Sequence, residues 1–93
     1  MTTDTDLRPL HSIASDIMAD PAWKGNTQTF SKPYVSAMRS LATTADRYGE
    51  DSGRNVVTYC LSNLTHYRGE KAKALKAELK AHLAVAKAKG HPF

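Results

Sequence analysis

Gly69-Glu-Lys-Ala-Lys-Ala-Leu-Lys-Ala-Glu-Leu-Lys-Ala-His-Leu83 is the stretch whose reading decides the fold. Alanine, leucine, lysine and glutamate are strong helix formers. At 100° per residue, Ala72, Leu75, Leu79, Leu83 and Ala86 fall within an arc of about 80°. The spacing predicts a helix over 70–88, terminated by Gly90, with one narrow apolar stripe and His82 at its edge. Alanines on this face permit close approach but bury little area each, so the stripe must pack on other helices.

Upstream, Val56, Val57, Cys60, Leu61, Leu64 and Tyr67 gather into an arc of about 140° on the same grid. They predict a helix over 53–67, capped by Asp51 or Ser52 and ended by Gly69. Its other side carries Arg54, Asn55, Thr58, Ser62 and Thr65, mostly neutral hydrogen-bonding groups. Pro33 suits the first position of a helix over 33–47, with Tyr34, Met38, Leu41, Ala42 and Ala45 on one face and Gly49 left-handed just past its end. Leu7, Leu10, Ile13, Ala14, Ile17 and Met18 predict a first helix over 7–19, capped by Asp4 or Asp6, with Pro9 in its first turn and a stop at Asp20-Pro21. Residues 21–31 read as a connection anchored by Trp23 and Phe30. No segment alternates with period two. The expected fold class is all-α: one compact four-helix domain over 1–93, with a flexible polar arm at 1–5 and a flexible tail at 89–93.

Leu, Ile, Val and Phe supply only sixteen of the 93 residues. That is below the ~20% at which composition raises doubts about independent folding, whereas the net charge of +4 is too small to argue for disorder. A folded but thin core follows, and thin cores are often completed by self-association, so a homodimer or larger assembly is expected. The lone Cys60 excludes an intrachain disulfide framework and fits a reducing compartment. The opening Met-Thr-Thr-Asp-Thr-Asp is acidic and polar where a signal peptide is basic and then apolar, and no apolar run reaches a membrane span. A cytoplasmic location with no membrane partner is the expectation.

Charge is distributed unevenly. From Arg68 to Phe93 seven Lys and Arg stand against Glu70 and Glu78 alone, while residues 1–67 carry six basic and seven acidic side chains. Lys73, Lys76, Lys80 and Lys87 lie within about 60° of one another, beside the leucine stripe. A linear basic ridge of this kind neutralises successive phosphates, docks on an acidic protein, or serves the helix macrodipole and the hydration of a small protein. Lysine rather than arginine predominates, which weakens the case for bidentate phosphate grips.

Other constellations carry less. The second and third expected helices resemble a helix-turn-helix, with Arg54, Asn55 and Thr58 opening the second of the pair. Their connection is long for that motif, and Glu50 and Asp51 would press against phosphates. Asp46, Glu50 and Asp51 miss the calcium-loop pattern, because Tyr48 takes a ligand position and Asp51 stands where glycine must turn the chain. His11, His66, His82 and His91 have no zinc-ligand spacing. Cys60 sits on an apolar arc as a small buried hydrophobe, about 120° round the helix from His66. The expectation is a protein that is not an enzyme and needs no cofactor or metal. Trp23, Tyr34 and Tyr59 are the protein-interface candidates, since tyrosine and tryptophan dominate such patches; the alternative is that they close the ends of the core.

Ser31-Lys-Pro-Tyr-Val-Ser-Ala-Met-Arg-Ser-Leu41, Tyr48-Gly-Glu-Asp-Ser-Gly-Arg-Asn-Val-Val-Thr-Tyr-Cys-Leu-Ser-Asn63 and Tyr67-Arg-Gly-Glu-Lys-Ala-Lys-Ala-Leu-Lys-Ala-Glu-Leu-Lys80 together resemble short uncharacterised proteins encoded by tailed bacteriophages, notably those of actinobacteria. The likeness covers roughly residues 31–80 and lies in overall character rather than in a diagnostic motif. It implies a phage origin and action inside a bacterial host, by binding a host or phage protein, and brings no activity, cofactor or catalytic residue with it. The functional expectation is therefore a small interaction protein, with nucleic-acid binding through Lys73, Lys76, Lys80 and Lys87 as the alternative.

Overall fold

The computed structural model describes residues 7–91 and 93. Four helices and one short hairpin follow in the order α1 (Leu10–Ala19), α2 (Gly25–Met38), β1 (Arg47–Tyr48), β2 (Asp51–Ser52), α3 (Gly53–Ser62) and α4 (Glu70–Lys89). The helices pack in a cycle, α1 on α2, α2 on α3, α3 on α4 and α4 on α1, which leaves α2 and α4 at opposite corners. The buried stripe of α4 is Ala72, Leu75, Leu79, His82 and Ala86, so His82 replaces Leu83 at its centre. Its Ala72, Leu75 and Leu79 meet Leu10, Ile13, Ala14 and Ile17 of α1 and Val56, Val57 and Cys60 of α3 in one core.

The fold is largely helical rather than strictly all-α. Arg47 pairs with Ser52 and Tyr48 with Asp51 in an antiparallel two-strand hairpin. Gly49 has the expected positive φ of 61°, but it turns this hairpin instead of ending a helix. A glycine at the first central position of a two-residue turn matches the right-handed twist of the strands.

The largest departure from expectation is α2, which spans 25–38 instead of 33–47. Pro33 sits inside it, where proline costs about 3 kcal/mol. What recruits the earlier turns is Trp23, only 5% exposed, whose indole N–H donates to the buried Ser31 hydroxyl at 2.8 Å. That hydroxyl donates in turn to the Thr27 carbonyl one turn back. Pro33 has no amide for the Thr29 carbonyl one turn back, and both residues are exposed. Phe30, expected as an anchor of a connection, instead stands 62% exposed on the helix surface.

Beyond Met38 the chain turns across the start of α1. Leu10 and His11 donate their amides to the carbonyls of Ala42 and Leu41, each at 2.9 Å. These bonds replace the side-chain cap expected from Asp4 or Asp6, residues that lie outside those described; α1 begins after Pro9 with no side-chain cap. Its stop at Asp20 falls where expected, in extended conformation before Pro21. Asp46 Oδ2 accepts the amides of Ala42 and Thr43 at 2.8 and 3.0 Å and so fixes this crossing. With α2 ending at Met38 and α3 starting at Gly53, the helix-turn-helix reading falls, because a crossing loop and a hairpin intervene.

Helix α3 starts as expected, with Ser52 Oγ accepting the Asn55 amide at 3.1 Å. It ends five residues short of the expected 67, where Asn63 leaves helical geometry and bonds back to the Tyr59 carbonyl at 2.8 Å. Leu64 and Tyr67 still reach the core, from non-helical backbone. In the C-terminal tail, His91 Nδ1 lies 2.8 Å from Thr44 Oγ1, Arg54 donates to the His91 carbonyl at 2.8 Å, and its guanidinium lies 4.0 Å above the Phe93 ring. The polar arm at 1–5 lies outside the described residues.

Candidate contact surfaces

Residues early in α2 face residues late in α3, so the two helices run antiparallel, and their outer seam is rich in aromatics. Tyr34 and Tyr59 stack across it with ring centroids 5.9 Å apart and planes 29° apart. Below the stack, Pro33, Tyr34, Tyr48, Val56 and Tyr59 line a groove of about 270 Å³. Above it, Asn26, Phe30, Asn63, Thr65 and His66 line another of about 390 Å³. Phe30, Tyr48 and Tyr59 are 62%, 47% and 51% exposed, which places three of the four large exposed apolar side chains among the described residues on this one seam.

Of the three interface candidates, Tyr34 and Tyr59 are thus brought into contact, and Trp23 is not with them. Its ring is in the core and its N–H is committed to Ser31, so it offers little surface to a partner. Sequence spacing alone does not mark Phe30 and Tyr48 as contact residues. Phe30 lies four residues before Tyr34, the spacing of neighbours on a helix face, and would have been legible had α2 been extended back through Pro33.

The second surface lies on the α3–α4 side. Arg68, Gly69, Lys73, Lys76 and Lys80 line a concavity of about 350 Å³ with Tyr67 at its floor. Lys76 is partly buried and donates from Nζ to the Leu64 carbonyl at 3.2 Å. Of the four ridge lysines, Lys73, Lys76 and Lys80 share this concavity, while exposed Lys87 lies further along the helix. Glu78 lies about 160–200° round the axis from Lys76 and Lys80. There it holds Arg8, whose Nε and Nη2 donate to its two carboxylate oxygens at 2.7 Å each.

Cys60 and His82 are held within the packing of the domain. Burial pushes the Cys60 thiol up to about 12, far from thiolate chemistry at neutral pH. His82 and His91 line a cleft of about 290 Å³ with Pro9, Ala42, Thr44 and Val85. The His82 Nε2–H must donate to the Arg8 carbonyl, 2.8 Å away, because a carbonyl only accepts. Burial holds the His82 imidazole below its usual value. A base with a depressed folded-state pKa is protonated first in the unfolded chain. Its stability contribution is therefore complete above the unfolded value near 6.5 and falls as pH drops below it, by at most about 1.4 kcal/mol per pH unit. Urea midpoints should decline from pH 7 to pH 5, and His82→Gln should flatten that decline; an equal slope in both proteins would count against His82 as its source.

Among the described residues no group of three metal-ligating side chains converges, and no helix is long and apolar enough to cross a membrane. Comparison with protein-family models, with curated proteins and with solved structures gives no match to this chain.

Proposed function

We propose that this chain is a small non-catalytic interaction protein that binds another protein through the α2–α3 seam. The observation carrying this reading is the collection of Phe30, Tyr34, Tyr48 and Tyr59 along one pair of helices, with grooves on either side of the tyrosine stack. Exposed aromatics in well-shaped recesses are the side chains that contribute most to protein association. Around them stand Asn26, Ser62, Asn63 and Thr65, neutral groups that can form the polar rim of an interface without repelling a partner. The sequence resemblance to tailed-phage proteins supplies the setting, a bacterial cytoplasm with a host or phage protein as partner. The small apolar content supports self-association as a further property.

The test compares the wild-type chain with Phe30→Ser and Tyr59→Ser in affinity capture from an actinobacterial lysate, alongside light scattering over a dilution series. Both substitutions replace exposed side chains, so helical circular dichroism should be retained. Binding to the captured partner should weaken at least about tenfold, as for removal of hot-spot aromatics. Capture that is indifferent to both substitutions would remove the seam as the binding surface, and a monomer at every concentration would remove self-association.

A further inference from the structure

We propose that the concavity between the Tyr67–Gly69 turn and α4 is a second site, which binds the sugar-phosphate backbone of duplex nucleic acid without reading its sequence. Four cations, Arg68, Lys73, Lys76 and Lys80, line it, and no carboxylate does. The nearest acids on the helix are otherwise placed: Glu78 is turned away and paired with Arg8, and Glu70 sits in the first turn outside the lining. Asp20, reached through the Tyr67 hydroxyl, accepts that hydroxyl and the Ala22 amide.

Lys76 is the informative member. Its ammonium is tethered at the floor by a neutral carbonyl instead of a carboxylate, which fixes its position and leaves its charge uncompensated. An anion entering the concavity would meet a positioned positive charge with two further N–H donors. Gly69 borders the same space, and a Cβ built there meets nothing within 4 Å, so the approach is open. Gly69 is the N-cap of α4 and supplies no side-chain cap, and the helix's positive dipole end adds to the field.

The lining discriminates between polyanions. An acidic protein segment needs an apolar centre for stable docking, whereas the Tyr67 ring is fully buried and the other lining groups are cationic or glycine. A phosphate chain requires only spaced charge. Lys73, Lys76 and Lys80 rise by about 4.5 and 6 Å along α4, and Lys87 continues the track about 10 Å beyond. No exposed aromatic lines the concavity on which a single-stranded base could stack. Duplex should therefore bind at least as well as single strand. The aromatic seam shares no lining residue with this site, so the inference stands apart from the proposed function.

The experiment is fluorescence anisotropy with a short labelled DNA duplex of arbitrary sequence, repeated from about 50 to 200 mM salt. Affinity should fall linearly on logarithmic axes with a slope of about −3.6 for the four cations, since each neutralised phosphate contributes about −0.9. Lys73→Glu combined with Lys80→Glu should weaken binding at least about tenfold and flatten the slope by about two. The neutral pair Lys73→Ala and Lys80→Ala should move both quantities in the same direction, while Phe30→Ser with Tyr59→Ser should leave them unchanged. The proposal is overturned by absence of binding at low salt, by a slope unaltered in the lysine variants, or by poly-glutamate outcompeting the duplex at equal charge. The last result would assign the site to an acidic protein.

Discussion

Replacing Tyr67 with alanine is expected to cost about 4 kcal/mol, as large aromatic truncations in cores do. For a domain with about 5–14 kcal/mol of total stability that is between about a third and most of it. Tyr67 heads the largest fully buried side chains, yet it stands on the non-helical link between α3 and α4, and its hydroxyl donates to Asp20 Oδ2 at 2.6 Å. The ring therefore joins three elements: the link itself, the end of α1, and the core beneath α4. Tyr67→Phe keeps the ring and loses only the hydroxyl, so its cost should be a small fraction of the alanine variant's. That remainder has a pH signature. The Tyr67 hydroxyl, followed by the Ala22 amide, holds the Asp20 carboxyl below its ordinary value. A depressed carboxylate contributes stability above the unfolded value near 3.9 and loses it as pH falls through the lower folded value. Urea unfolding should show the phenylalanine deficit in full at pH 7 and little of it in strong acid. A Tyr67→Ala midpoint close to wild type would mean that the link does not seat the ring in the core.

The sequence was most legible where local and tertiary preferences agree. Helix α4 follows its periodicity to within a residue, because alanine, leucine and lysine favour the helix in any context and the stripe faces the core. The stop at Asp20-Pro21 and the Ser52 cap were legible for the same reason, each resting on backbone chemistry that acts over one to three residues. Sequence places α2 too late because Pro33 is a strong local signal overridden by a non-local one. The Trp23–Ser31–Thr27 chain stabilises turns that propensity alone would not start, and no spacing rule announces a tryptophan that donates to a serine eight residues on. The contact surfaces inherit that difference. Lys73, Lys76 and Lys80 were visible as a ridge because they lie on the helix that was read correctly, whereas Arg68 joined them only when the preceding turn had a shape. In the sequence Tyr34 and Tyr59 are legible only one by one. Their stacking, and the addition of Phe30 and Tyr48, required the antiparallel register of α2 and α3 and the hairpin beside it.

Gly53→Ala tests the same tension between local rule and tertiary fact, and it should destabilise by about 3 kcal/mol or more, at or beyond the upper end for overpacking. Helix propensity predicts the opposite. Gly53 is the first residue of α3, and exchanging a helical glycine for alanine ordinarily stabilises by about 1 kcal/mol. Space decides the sign here. A Cβ at Gly53 would lie 2.7 Å from the Thr43 carbonyl oxygen, 2.9 Å from Thr44 Cα and 3.0 Å from the Asp46 carbonyl oxygen, all backbone atoms that cannot swing aside. The Gly53 amide already donates to that Asp46 carbonyl at 2.7 Å, so the helix cannot back away without giving up the bond. Nor is the crossing loop free to yield. Asp46 ties it through Ala42 and Thr43, and the Leu41 and Ala42 carbonyls serve as the acceptors for the first amides of α1. Displacement would also pull Thr44 from His91 and shift the hairpin that carries Tyr48. Gly49→Ala is the matched control, since its φ is +61° but nothing lies within 4 Å of an added Cβ. It should cost only the left-handed strain of about 1–2 kcal/mol. If urea denaturation ranked Gly53→Ala as the more stable of the two, the close approach of α3 to the crossing loop would not exist in solution, and the lower half of the aromatic seam would have to be redrawn.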